Sequence, residues 1–258
     1  MLKQKYIKNI LKASSIFLLL LQLSCVQSKK RENIIVASAG KIESLDPAQA
    51  NTLRTLQILS ALGDTLYKIN KQGSLYPVLA KDLPKVSKDG LRIDIPLRSN
   101  ISFHDGSIFN AESMKFSLNR FMKIGTLNYL LNDKIEAIEV KDKFLLRIKL
   151  KKPSSSLKSL LTSVNLTPIS PKSYSNYKDK FNSNNFIGTG PYFLESFTPS
   201  QQIIKPFKNY WGERPLNEGI DFINYSNSST LFGAIKTKEV DVLISNSIDD
   251  LQRLTLNN

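Results

Sequence analysis

The sequence predicts an α/β protein, and three observations predict it. Lys88 to Phe121 reads as a strand, a turn and a capped helix packed into one short span. A short apolar run, Ile34 to Ala39, opens the folded part of the chain as a buried strand. Strand signals then return from Ile135 to Leu150 and from Tyr192 to Phe197, beyond the helical ones.

Taken in order, Ile34-Ile35-Val36-Ala37-Ser38-Ala39 is closed by Gly40. In Glu43-Ser44-Leu45-Asp46-Pro47, the proline holds Asp46 extended. Leu53 to Tyr67 reads as a helix carrying Leu53, Leu56, Leu59 or Ser60, and Gly63 on a close-packed face, and Gly73 then turns the chain. Leu91, Ile93, Ile95 and Leu97 alternate with Arg92, Asp94, Pro96 and Arg98, the period of a strand with one buried face. Pro96 limits that strand to an edge or a bulge. Asp89-Gly90 and Asp105-Gly106 favour tight turns. Asn110 offers an N-cap, Glu112 suits the positive end of the helix dipole, and Ala111, Met114, Leu118 and Phe121 fall on one helical face.

Farther along, Ile135 to Val140 and Phe144 to Leu150 flank Lys141-Asp142-Lys143 as a hairpin, with Phe144, Leu146, Ile148 and Leu150 on one face. Ser155 to Val164 reads as a helix with Leu157, Leu160 and Leu161 inward. Gly188-Thr189-Gly190-Pro191 makes a sharp backbone path into the strand Tyr192 to Phe197, and Ile203-Ile204 pairs back across Thr198-Pro199-Ser200. Ser229 caps a last helix with Leu231, Phe232 and Ile235, and Glu239 to Ile244 is a strand.

Composition narrows the function. The chain has 258 residues, 41% hydrophobic and 22% charged, which is globular. Its formal charge of +14 draws seven charges from Lys3, Lys5, Lys8, Lys12, Lys29, Lys30 and Arg31, outside the expected fold, and the rest is spread out. That distribution is not a nucleic-acid patch. A single Cys permits no internal disulfide, and with a single His it gives no zinc-type cluster, so no metal or cofactor is expected. His104 beside Asp105 invites acid/base chemistry, but adjacent turn residues seldom converge on one atom and no G-x-S-x-G nucleophile is present. His104 therefore reads as fixing a turn, and the chain as not an enzyme. Gly188 to Pro191 is no phosphate loop, because no Lys follows at the required spacing and a strand comes next.

At the N-terminus four lysines precede an apolar run, Ile16 to Leu23, far shorter than the ~20 residues of a spanning helix, which reads as a secretory signal. The run ends Leu21-Gln22-Leu23-Ser24-Cys25, and Cys25 is the expected lipidation site. An ordinary signal peptide with an incidental Cys25 is the other reading. Residues 26–33 form a polar, basic tether.

Leu97-Arg98, Phe103-His104-Asp105-Gly106 and Ala111-Glu112, with Ser44-Leu45-Asp46-Pro47, Leu75 to Ala80, Gly188 to Tyr192 and Tyr210-Trp211-Gly212, resemble the signatures of the solute-binding proteins of peptide and nickel ABC transporters. The resemblance covers nearly all of the chain. It departs at Leu83-Pro84, where the family generally has Trp, and at Lys238, where the family has Gly.

The resemblance implies a periplasmic-binding-protein-like (type II) N-terminal lobe, with the second lobe largely absent. Residues 34–53 and 163–248 would form the main lobe and 54–162 the inserted subdomain. Residues 1–25 would be the signal and 249–258 a stub of the missing lobe. The backbone of Asn51, Thr52 and Leu53 would line the ligand cleft, and Tyr129 could stack on a ligand; the first three could equally just start a helix, and Tyr129 could be core. The implied ligand is a peptide or other small solute, including nickel. The implied partners are an ABC permease in the cytoplasmic membrane and, where the second lobe is encoded apart, a separately encoded C-terminal half. The implied location is the periplasm, on the outer face of the cytoplasmic membrane. The alternative is a surface lipoprotein that binds no small molecule, or a gene remnant.

Overall fold

The computed structural model describes residues 33–173, 181–245 and 252. The signal, Cys25 and nearly all of the 26–33 tether and the 249–258 stub lie outside them. The strands are β1 (Ile34–Ala39), β2 (Tyr67–Ile69), β3 (Leu75–Pro77), β4 (Lys85–Val86), β5 (Arg92–Pro96), β6 (Ile135–Asp142), β7 (Leu145–Leu150), β8 (Tyr192–Thr198), β9 (Gln201–Pro206), β10 (Ile220–Tyr225) and β11 (Val242–Ile244). The helices are α1 (Leu53–Leu62), α2 (Ala111–Ile124), α3 (Tyr129–Asn132), α4 (Leu157–Leu160) and α5 (Ser228–Lys236).

Five strands make a mixed sheet in the order β11-β1-β10-β9-β8. β1 lies parallel to both β10 and β11, while β9 runs antiparallel to β10 and to β8. Apolar residues of α1 and of the sheet, among them Ile58, Leu59, Leu62 and Ile204, form one core; Leu231 and Ala234 of α5 pack on Ala37 in another.

The expected hairpin forms, and with β4 and β5 it makes a second sheet in the order β4-β5-β7-β6. Its apolar face, Ile93, Ile95, Leu146 and Ile148, packs against Met114, Leu118 and Phe121 of α2. That helix starts where Asn110 Oδ1 accepts from Ser113 N–H and Ser113 Oγ accepts from Asn110 N–H, both at 3.0 Å. The reciprocal bonds satisfy two of the orphan donors of the first turn. Pro96 confines nothing to an edge here: β5 lies inside the sheet, but Pro96 is its last residue and β4 ends opposite Asp94. The missing N–H therefore falls past the short strand.

Three helices differ from expectation. α1 ends at Leu62, Gly63 is extended, and only glycine fits there because a Cβ would lie 2.1 Å from Thr167 Cγ2. Its buried face is Thr55, Ile58, Leu59 and Leu62, and Leu53 points to solvent. Only Leu157–Leu160 of the span from Ser155 to Val164 is α-helical, since three serines supply little propensity after Pro153. α5 is capped by Asn227, whose side chain accepts from Thr230 N–H, two residues before Ser229.

Lys238 follows α5 with φ 59°, the one positive-φ non-glycine residue among those described. Glu239 N–H donates to Ala234 O at 2.9 Å and Lys238 N–H to Ile235 O at 3.2 Å, the two closing bonds of a Schellman cap. A side chain in this left-handed position costs about 1 kcal/mol, so Lys238→Gly is expected to raise the urea midpoint by that amount of stability. An unchanged or lower midpoint counts against it.

Candidate ligand-binding edge

α1 is the element on which the candidate site is built, and each of its ends is gripped differently. At its C-terminal end, Leu62 O accepts from Gly190 N–H at 3.0 Å. A Cβ on Gly190 would stand 2.5 Å from Gly63 N, so the 188–190 loop approaches as closely as it does only because it is glycine. Asp64, just beyond, is buried and accepts from Trp211 Nε1 at 3.1 Å and from the Tyr210 hydroxyl, while its own N–H donates to Thr189 Oγ1 at 3.2 Å. Burial pushes the Asp64 carboxyl above the usual range, against the pull of Trp211, Lys68 and Tyr210. Trp211 is half-buried beneath the Arg98 guanidinium, 5.1 Å from its ring centre, and acts as a packing anchor.

His104 ties the same loop to the second sheet's subassembly. Gly188 N–H donates to its Nδ1 at 3.3 Å and its Nε2 lies 3.1 Å from Gly190 O, while its own backbone N–H donates to Gly188 O at 2.9 Å. Nδ1 thus accepts and Nε2–H donates, a neutral ring. Phe207 packs edge-on at 5.0 Å and burial lowers the ring's pKa to about 4. His104 does more than fix a turn: it joins two loops 84 and 86 residues apart. The Phe103-to-Gly106, Gly188-to-Pro191 and Tyr210-to-Gly212 motifs therefore meet around one end of α1.

The other end begins at the turn Pro47–Gln49. Asp46 caps that turn, its Oδ1 accepting from Ala48 N–H at 3.0 Å, and its carboxylate forms a two-pronged pair with Arg120 of α2 at 2.7 and 2.5 Å. Asp46 is buried. Asn165 Nδ2 donates to both Pro47 O (2.9 Å) and Ala50 O (2.8 Å), bracketing the turn, and Thr126 N–H donates to Ala48 O at 3.0 Å. Held on three sides, the chain emerges as Asn51, Thr52 and Leu53, all exposed, and Thr52 Oγ1 caps α1 by accepting from Thr55 N–H.

Leu53 is 54% exposed and Tyr129 53% exposed, so neither is core. Tyr129 opens the single turn α3, and its segment is brought beside the 47–50 turn through the Thr126–Ala48 bond. Exposed Leu127 lies between. No hydrogen bond joins Tyr129 to Asn51, Thr52 or Leu53 among the described residues. Sequence reasoning did not find Arg120 or Asn165, because their partners lie 74 and 115 to 118 residues away. No group of three or more His, Cys, Asp or Glu residues able to hold a metal occurs among the described residues.

The model of the bacterial extracellular solute-binding proteins, family 5 Middle, matches residues 74–258. The glutathione-binding protein GsiB of Escherichia coli O6:K15:H31 is 31% identical over 194 residues, which is 74% of this chain and 37% of that protein. The crystal structure of NikZ from Campylobacter jejuni in complex with Ni(L-His) has a TM-score of 0.76 at 22% identity, covering 88% of this chain and 45% of that one. The dipeptide-binding protein of Pseudoalteromonas sp. SM9913 in complex with Met-Leu has a TM-score of 0.78 at 22% identity, covering 88% of this chain and 50% of that one. The fold is thus that of type II periplasmic-binding-protein structures, and the chain spans half or less of the length of each.

Proposed function

The chain belongs to the bacterial extracellular solute-binding proteins of family 5, and from that premise we propose that it forms the ligand-binding lobe of a protein that captures a peptide-like solute outside the cytoplasm and delivers it to an ABC permease. The observation that carries this reading is the presented edge at residues 51–53, exposed itself while its base is locked by Asp46, Arg120 and Asn165. Thr52 O is taken by Leu56 N–H at 3.1 Å, and the N–H groups of 51–53 are left to donate to the carbonyls of extended peptides of many sequences, while Leu53, Leu127 and Tyr129 offer apolar contact to side chains. Asn51, Thr52, Leu53 and Tyr129 are the ligand residues of this reading. A second wall, from a longer chain or a separately encoded half, closes over the ligand. Within the fold, 34–53 and 163–248 act as the main lobe and 54–162 as an inserted subdomain. Cys25 anchors the protein to the outer face of the cytoplasmic membrane, and mass spectrometry of the mature protein detects the lipid-bearing Cys25 as its first residue.

Calorimetry with glutathione, short peptides and nickel–histidine on the full-length protein tests the reading. Peptides are expected to bind. Leu53→Asp and Tyr129→Ala should each weaken peptide affinity about fivefold or more, equivalent to about 1 kcal/mol, with little change in the thermal midpoint because both side chains are exposed. Binding of nickel–histidine alone removes the peptide assignment, and peptide binding indifferent to both substitutions removes this edge as the site.

A further inference from the structure

We propose that the captured solute carries a carboxylate and that Arg54 receives it, an inference that rests on the binding edge described above. The six arginines among the described residues divide cleanly. Arg92 and Arg214 are exposed and solvated. Arg98 donates from Nε to Val78 O at 2.7 Å and lies over Trp211. Arg120 and Arg147 form two-pronged pairs with Asp46 and Asp94. Arg54 is half-buried like these three, yet its guanidinium has no hydrogen bond and no ion pair among the described residues. The carboxylates nearest to it in sequence do not serve it: Asp46 is taken up by Arg120, and Glu43 is exposed and pairs with nothing among the described residues.

The place of this guanidinium sets the kind of ligand. It packs over Gly40, where a Cβ would lie 2.6 Å from Nη2 and 2.8 Å from Nη1, so the glycine keeps the fork clear of side chain. Gly40 follows β1 at its carboxyl end, beside the carboxyl ends of parallel β10 and β11. The crevice at the carboxyl ends of such strands is where open α/β sheets take their ligands. Arg54 also follows Leu53 directly, one residue past the presented edge. A cation withdrawn partly from water without a partner is unfavourable, and the positive end of the α1 dipole adds to the repulsion. An arriving anion relieves both. The planar five-donor fork matches a carboxylate with two parallel hydrogen bonds, and that chemistry is shared by a peptide's terminal carboxylate and by an acidic side chain.

Calorimetry on the full-length protein with two probe pairs separates these sources. Ala-Leu against Ala-Leu amide reports the terminal carboxylate, and Ala-Glu amide against Ala-Gln amide reports the side chain. The wild-type protein should prefer the charged member of at least one pair by tenfold or more. Arg54→Gln should abolish that preference, weakening the acid about tenfold and leaving the neutral probe unchanged, while Arg54→Lys restores part of it. An unaltered thermal midpoint in Arg54→Gln shows that the fold is intact. If the wild type binds peptides without preference, or the preference survives Arg54→Gln, the assignment of Arg54 is overturned while the peptide reading stands. If it binds none of the four, both fall together.

Discussion

Asp46→Asn should destabilise the protein by about 3–5 kcal/mol, because it takes the negative charge out of a two-pronged pair with Arg120 that is largely withdrawn from water. The asparagine still supplies an acceptor for Ala48 N–H, so the loss isolates the ion pair from the cap. Arg120 is only 12% exposed and Asp46 2% exposed, and neither can turn to water without opening the junction between the 45–50 loop and α2. Urea unfolding measures the effect. Removing both charges, as in Asp46→Leu with Arg120→Met, should recover much of the loss, since an apolar pair of similar size has no desolvation to offset. A single-mutant loss under about 1 kcal/mol would mean that the pair does not hold the junction.

The second large effect is on pH. His104 has a folded pKa of about 4 against an ordinary 6.5, lowered by burial. Between those values the unfolded chain binds a proton that the folded one refuses. Stability from this group is therefore complete above pH 6.5, falls as the pH drops toward 4 and is level below that, a change of up to about 3 kcal/mol. The geometry agrees, since a proton on Nδ1 would set one donor against the Gly188 N–H. Asp64 has the opposite sign: its raised carboxyl contributes at low pH and its contribution is lost as the pH rises. Unfolding midpoints at pH 7 and pH 4.5 for the wild type and His104→Gln resolve the two. The histidine's share of the acid loss should vanish in the variant, and identical pH slopes would exclude it.

Where the determinants are local, the sequence was legible. α2 formed over the expected residues because its cap and its apolar period lie within the helix itself, and the hairpin of β6 and β7 formed from its two alternating runs, with the turn at Lys143-Phe144 because β6 extends through Lys141 and Asp142 of the expected turn. α1 was misread. Leu53, Leu56 and Leu59 suggest a stripe, but the helix is short, and the packing of Thr55, Ile58 and Leu62 against distant segments selects the buried face. The candidate site was legible only as an exposed stretch. Its exposure follows from Arg120 and Asn165 gripping the preceding turn, and a single sequence carries no trace of pairings 74 to 118 residues apart. Arg54 escapes a sequence reading for a related reason: whether a cation has a partner depends on contacts that only the fold creates.

The position of β1 between β10 and β11 has a consequence for the growing polypeptide. Ile34 pairs with Ile220, and Val36 with Val242, so the first strand of the fold waits until about residue 220 has been made before it gains a neighbouring strand. The sheet of β4 to β7, by contrast, is complete once residue 150 has been made. Synthesis therefore runs through a long interval in which one part of the molecule is closed and an apolar six-residue edge is still open, and closing a loop of that span is the slow, entropically expensive kind. During that interval Ile34–Ala39 is available to any other strand, including its own copy on a neighbouring chain.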